Sequence, residues 1–76
     1  MSKHIDLRKS VFDICQEYPE ITDLLFELGF HDITRPGMLH TAGRFMTIPK
    51  GAAMKKIDLM QVKMMLEEKG FQVTGL

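Results

Sequence analysis

The side chains with which this sequence could do metal chemistry are three histidines, one cysteine and two mid-chain methionines: His4, His31, His40, Cys15, Met38 and Met46. Imidazole, thiolate and thioether suit zinc, copper or haem iron, but such sites are built from ligands at short local spacings such as His-x-x-x-His. None of the six stands at such a spacing, so no metal ligand set and no cofactor is expected. The methionines read instead as fillers of irregular gaps in the core. Nucleophilic or acid–base catalysis needs a nucleophile, a base and an orienting group held in mutual reach. The candidates, Ser10, Thr41 and Glu67-Glu68, sit where turns, caps and a solvated helix face want them, and an enzyme is not the expected reading.

Anion binding is the better-supported polar chemistry. Arg35, Arg44 and Lys50 lie in a stretch, residues 33–57, that holds five basic side chains and no acidic one. Helix starts expected near Pro36 and Thr47 would add amide hydrogens suited to phosphate or carboxylate. No glycine-rich phosphate loop accompanies them, so a solvated basic surface is the plainer alternative. The first 32 residues carry seven acids against three bases, and the whole chain is neutral, with ten of each. A neutral chain lacks the electrostatic footprint of a nucleic-acid binder.

Seventy-six residues make one domain, 1–76, with a small core. A lone cysteine excludes an internal disulfide and suits a reducing compartment. The first residues have no apolar run like that of a secretory leader, and no stretch reaches the roughly 20 apolar residues of a membrane span. The expected location is cytoplasmic.

The elements that must position these groups follow from caps and period. Ser10 with Asp13 is an acidic capping box that starts a helix with Val11, Ile14, Cys15 and Tyr18 on its inner face. Pro19 stops that helix and suits the first turn of the next. There Ile21, Leu24, Leu25 and Leu28 repeat the period up to Gly29, a left-handed cap. Phe30 to Arg35 reads as a loop. Pro36 opens a short helix through Ala42, with Thr34 as its cap and Gly43 as its end. Thr47 caps another, with Pro49 in the first turn, although Gly51 weakens it by about 1 kcal/mol relative to alanine. Asp58 and Gln61 box the last helix, whose stripe is Leu59, Val62, Met65 and Leu66, and Gly70 ends it. Phe71 to Leu76 reads either as a short strand beside Ile5-Asp6-Leu7 or as a tail. The expected fold is all-α: a compact orthogonal bundle of four to five short helices, with a minor β pairing of the termini as an option.

Four apolar side chains fall off the inward stripes. Phe12 and Phe26 point away from the inner faces of their helices, and Met60 with Met64 lie i and i+4 on the outer side of the last one. Aromatic and methionine side chains are what protein-binding patches are enriched in; scattered surface hydrophobes are the plain alternative.

Several ordered words add a resemblance: Glu17-Tyr18-Pro19-Glu20, Leu28-Gly29-Phe30, Pro36, Thr41, Gly43-Arg44, Thr47 and Ile57-Asp58-Leu59. Together they resemble, over nearly the whole chain, a bacterial and archaeal family known as domain of unknown function 1858. The resemblance implies a small helical domain, free-standing or attached to haemerythrin-like and sensor-type proteins, and related to the N-terminal module of iron-sulfur-cluster repair proteins. Many of those relatives place Cys-x-x-Cys-Pro just after the helix-ending glycine. The matching positions here are Asp32, Arg35 and Pro36, which do no thiol chemistry, and the redox role does not carry over. Asp32 and Arg35 are expected to pair across the loop. The function these readings favour is a non-enzymatic accessory domain that binds another protein or itself through Phe12, Phe26, Met60 and Met64. A small-anion sensor using Arg35, Arg44 and Lys50 is the alternative.

Overall fold

Side-chain caps set where the helices begin. Ser10 Oγ accepts the Asp13 amide, Thr47 Oγ1 accepts that of Lys50, and Asp58 Oδ1 accepts that of Met60, each satisfying an orphan donor of a first turn. The computed structural model describes residues 3–75. In chain order these form β1 (Lys3–Asp6), α1 (Val11–Glu17), α2 (Glu20–Leu28) and α3 (Pro36–His40), then a 3-10 turn (Ala42–Arg44), α4 (Ile48–Lys55), α5 (Leu59–Glu68) and β2 (Phe71–Thr74). Leu76, the expected end of the last strand, lies outside the described residues.

Two helices end in the same way. Gly29 takes a left-handed φ of 116° and the Phe30 amide donates to Leu25 O at 2.9 Å. Lys56 does likewise at φ 57°, with the Ile57 amide donating to Ala52 O at 2.8 Å. A left-handed residue followed by this six-to-one bond turns the next, apolar side chain back onto the helix. Phe30 is thereby buried and Ile57 half-buried. The two ends meet, because a Cβ added to Gly29 would stand 3.1 Å from Ile57 Cδ1. The starts of α1 and α4 are tied as well, through a one-residue antiparallel bridge between Ser10 and Thr47 and a 2.8 Å bond from the Val11 amide to Met46 O.

The interior draws on every long element. Val11, Ile14 and Cys15 come from α1, Ile21 and Leu25 from α2, Ile48 and Ala52 from α4, and Val62 and Leu66 from α5. Ile5 and Phe71 from the strands, with Leu7 just after β1, close it. The fold is mostly helical, as expected, and the optional β pairing of the termini is present as a small parallel sheet, Lys3 pairing with Phe71 through Asp6 with Thr74. Alternation accounts for the sheet: Ile5 with Leu7, and Phe71 with Val73, put apolar side chains on one face at period two. A parallel pair needs a long crossover, which the helices supply.

Two local expectations also change. Thr34 does not cap α3; its hydroxyl donates back to Phe30 O at 2.6 Å, and Arg35 occupies the cap position without a side-chain bond. Gly43 does not end a helix but lies buried inside the 3-10 turn, where a Cβ would sit 3.2 Å from Leu39 Cδ1. Gly51, costly in a helix on propensity alone, has a packing reason: a Cβ there would stand 3.0 Å from Phe30 Cε1. Alanine would gain about 1 kcal/mol in helix propensity but wedge a buried ring, at about 1–3 kcal/mol. Gly51→Ala is therefore expected to lower stability by about 1 kcal/mol, read as a fall in urea midpoint at unchanged slope; a rise would show that Phe30 has slack.

Candidate functional site

The Phe30–Gly51 contact is also the floor of an apolar cleft of ≈ 330 Å³ between the loop after α2, α3 with its 3-10 turn, and α4. Phe30 is 1% exposed and presents its ring to the cleft from the core side. Ile33, Met38, Ala42 and Met46 line the walls. Met54, 71% exposed, forms a lip. Thioether chains on three rotatable bonds make such walls adaptable to the shape of what enters.

One ion pair crosses the rim. Lys55 Nζ donates to Asp32 Oδ2 at 2.6 Å, joining the loop to α4. Asp32 therefore pairs with Lys55 and not, as the sequence suggested, with Arg35. Both partners are well exposed, so the pair adds little to stability; its effect is to fix the loop edge. Lys50 stands one turn before Met54 on α4, and the two are i, i+4 neighbours.

The four apolar residues singled out in the sequence are not gathered into this cleft. Phe12 is half-buried, with the Arg44 guanidinium 4.7 Å above its ring and His40 edge-on at 5.3 Å. Phe26 is exposed on α2, its ring 4.5 Å from that of His31. Met60 and Met64 are both more than half exposed on α5, which packs on β2 and α4. Of the basic trio, Arg44 is committed to Phe12, Lys50 flanks Met54, and Arg35 precedes α3. None of the three lines either described cavity.

The histidines are equally dispersed. His4 Nε2 lies 2.8 Å from Thr74 Oγ1, while His31 and His40 rest on separate phenylalanines. Among the described residues no group of three or more His, Cys, Asp or Glu side chains converges as a metal would require. Cys15 is buried, and that burial pushes its thiol upward, a bond with Thr22 opposing it. Thiol chemistry needs an exposed thiolate, which this site does not present. The second cavity, ≈ 70 Å³ beside His4, Lys9, Glu17 and Tyr18, is edged by groups already engaged. Lys9 pairs with Glu17 at 3.8 Å and the Tyr18 hydroxyl accepts the His4 amide.

Sequence reasoning treats Met38 and Met46 as gap fillers and passes over Phe30, Ile33 and Met54. The available signal was three methionines, at 38, 46 and 54, in a basic stretch without a helical period. Among the described residues, no helix is long and apolar enough to cross a membrane.

The rim pair makes a titration prediction. The hydrogen bond from Lys55, then its charge, hold the Asp32 carboxyl below the usual carboxylate range. A lowered folded-state pKa contributes stability above the ordinary value that is lost as pH falls through the lowered one. In Lys55→Ala, carboxylate carbon NMR should show Asp32 titrating higher, back toward its ordinary range; an unmoved titration would mean that Lys55 does not hold it in solution.

Among curated proteins none matches the chain significantly. The crystal structure of a conserved domain protein from Streptococcus pneumoniae TIGR4 is similar with a TM-score of 0.93 and 30% identity, covering 100% of this chain and 96% of that one. The sequence model of domain of unknown function DUF1858 matches residues 5–63, from the inward residue of β1 into α5, and so takes in every wall of the cleft. The chain belongs to that family, DUF1858.

Proposed function

We propose that this domain is a non-enzymatic docking module that receives an apolar segment of a protein in the methionine-lined cleft. The observation that carries the reading is the lining itself: Met38 and Met54 stand exposed, Ile33 and Met46 are half-buried in the walls and Phe30 is buried at the floor, beside one ion pair. Apolar concavities with few polar groups are where ligands and partner side chains seat, and methionine-rich ones re-pack around different guests. The cleft also rests on a fixed floor, so little ordering cost is added on binding.

This reading keeps the interaction role expected from the sequence and moves its centre from Phe12, Phe26, Met60 and Met64 to the cleft formed by the loop after α2, α3 and α4. Cys15, alone and sealed, suits work in a reducing cytosol.

Methyl NMR tests it. A helical probe peptide with leucines at i, i+3, i+4 and i+7 and glutamates on its other face, added at low protein concentration, should shift the methyl resonances of Met38, Met46 and Met54. Those of Met60 and Met64 should stay in place. Met54→Glu, at an exposed position where substitutions cost within about 0.5 kcal/mol, should weaken the response at least ~10-fold. Shifts confined to Met60 and Met64, or none at all, would refute the cleft as the docking site.

A further inference from the structure

The outer face of α2 and the cleft are neighbours with opposite character. Asp23, Phe26 and Glu27 share one exposed face of α2 at i, i+3 and i+4, in the half of the chain where acids outnumber bases seven to three. Phe26 stands 52% exposed on that face. The cleft is apolar, and the chain around it, residues 33–57, contributes five bases and no acid. Its single lining acid, Asp32, is already neutralised by Lys55. The Phe26 ring touches that of His31 at 4.5 Å, and the next residue, Asp32, lines the cleft. An aromatic knob accompanied by two acids therefore sits beside an apolar cleft whose lining residues have the exposed bases Arg35 and Lys50 close by in the sequence.

We infer that the occupant of the cleft is a second copy of this chain, with Phe26 of each protomer seated in the other's cleft and Asp23 and Glu27 facing the partner's Lys50 and Arg35. The inference rests on the docking reading above and names its partner. Side-by-side placement lets a twofold axis pass between knob and hole, so both contacts form at once and the assembly closes as a dimer instead of growing into a filament. The interface needs about 600–800 Å² per protomer, roughly an eighth to a sixth of the 4837 Å² surface. Aromatic anchoring with flanking opposite charges is the anatomy of a specific contact.

Sedimentation equilibrium from micromolar to sub-millimolar protein, with circular dichroism to confirm folding, decides it. Wild type should dimerise. Phe26→Ala and Met54→Glu should each raise the dissociation constant at least ~30-fold. Glu27→Lys places a base in the last turn of α2 and Lys50→Glu an acid in the first turn of α4, both favourable to the helix dipole, so neither threatens the fold. Each alone should weaken the dimer ~10-fold, and the double variant should return to within ~3-fold of wild type. A double variant no tighter than the singles overturns the proposal, as does a dimer indifferent to Phe26→Ala. A wild-type monomer whose Met38, Met46 and Met54 methyls still answer the probe peptide refutes self-association and leaves the docking cleft standing; a monomer with silent methyls refutes both.

Discussion

The ring of Phe30 lying on the bare backbone of Gly51 is the contact that organises this domain. It joins the end of α2 to the middle of α4 across an interior too small to have many such anchors, and a side chain at position 51 would have to share its place. One face of the ring belongs to the core and another to the cleft. Stability and the shape of the binding surface are thus coupled through a single side chain. A helix-weakening glycine is retained where close packing requires it, an instance of local propensity yielding to tertiary contact.

Around that contact the chain divides its labour. Positions where methionine-rich walls rise are also the positions where acids are absent, and the acids are concentrated in the first two helices. The charges of a protein with no net charge are thus unevenly spread along its chain, an acidic start before a basic middle, with Glu20, Glu17 and Asp6 paired to Lys3, Lys9 and Arg8. At the loop positions where the family resemblance led one to look for paired thiols, Asp32 is tied to Lys55. The same piece of backbone is thereby held by an ion pair at the edge of the cleft.

Most of the fold was legible in the sequence, because helix starts and the ends of amphipathic stripes are local signals. Ser10, Thr47 and Asp58 cap as their types and spacing require, Gly29 takes the left-handed turn, and the inward faces of α1, α2 and α5 follow the period. The failures share a cause. Thr34 and Gly43 are turn-type residues whose roles depend on which neighbour lies above them, and sequence spacing does not say that the Phe30 carbonyl or Leu39 is there. The cleft stayed hidden for the same reason: its walls come from a loop, a five-residue helix, a 3-10 turn and α4, none long enough to show a stripe. Phe12, expected in an exposed apolar set, is half-buried because Arg44 and His40 from later elements lie on its ring, which spacing within its own helix does not show.

The parallel pairing of β1 with β2 has a consequence in time. Its partners, Lys3 with Phe71 through Asp6 with Thr74, are separated by almost the entire described chain, so the entropy of closing that loop must be met before any ladder bond forms. Helices draw on local contacts, whereas the seating of Ile5 and Phe71 in the interior depends on this long-range pairing. During synthesis β1 therefore stays without its partner strand until β2 has been made, and the interior lacks Phe71 until then.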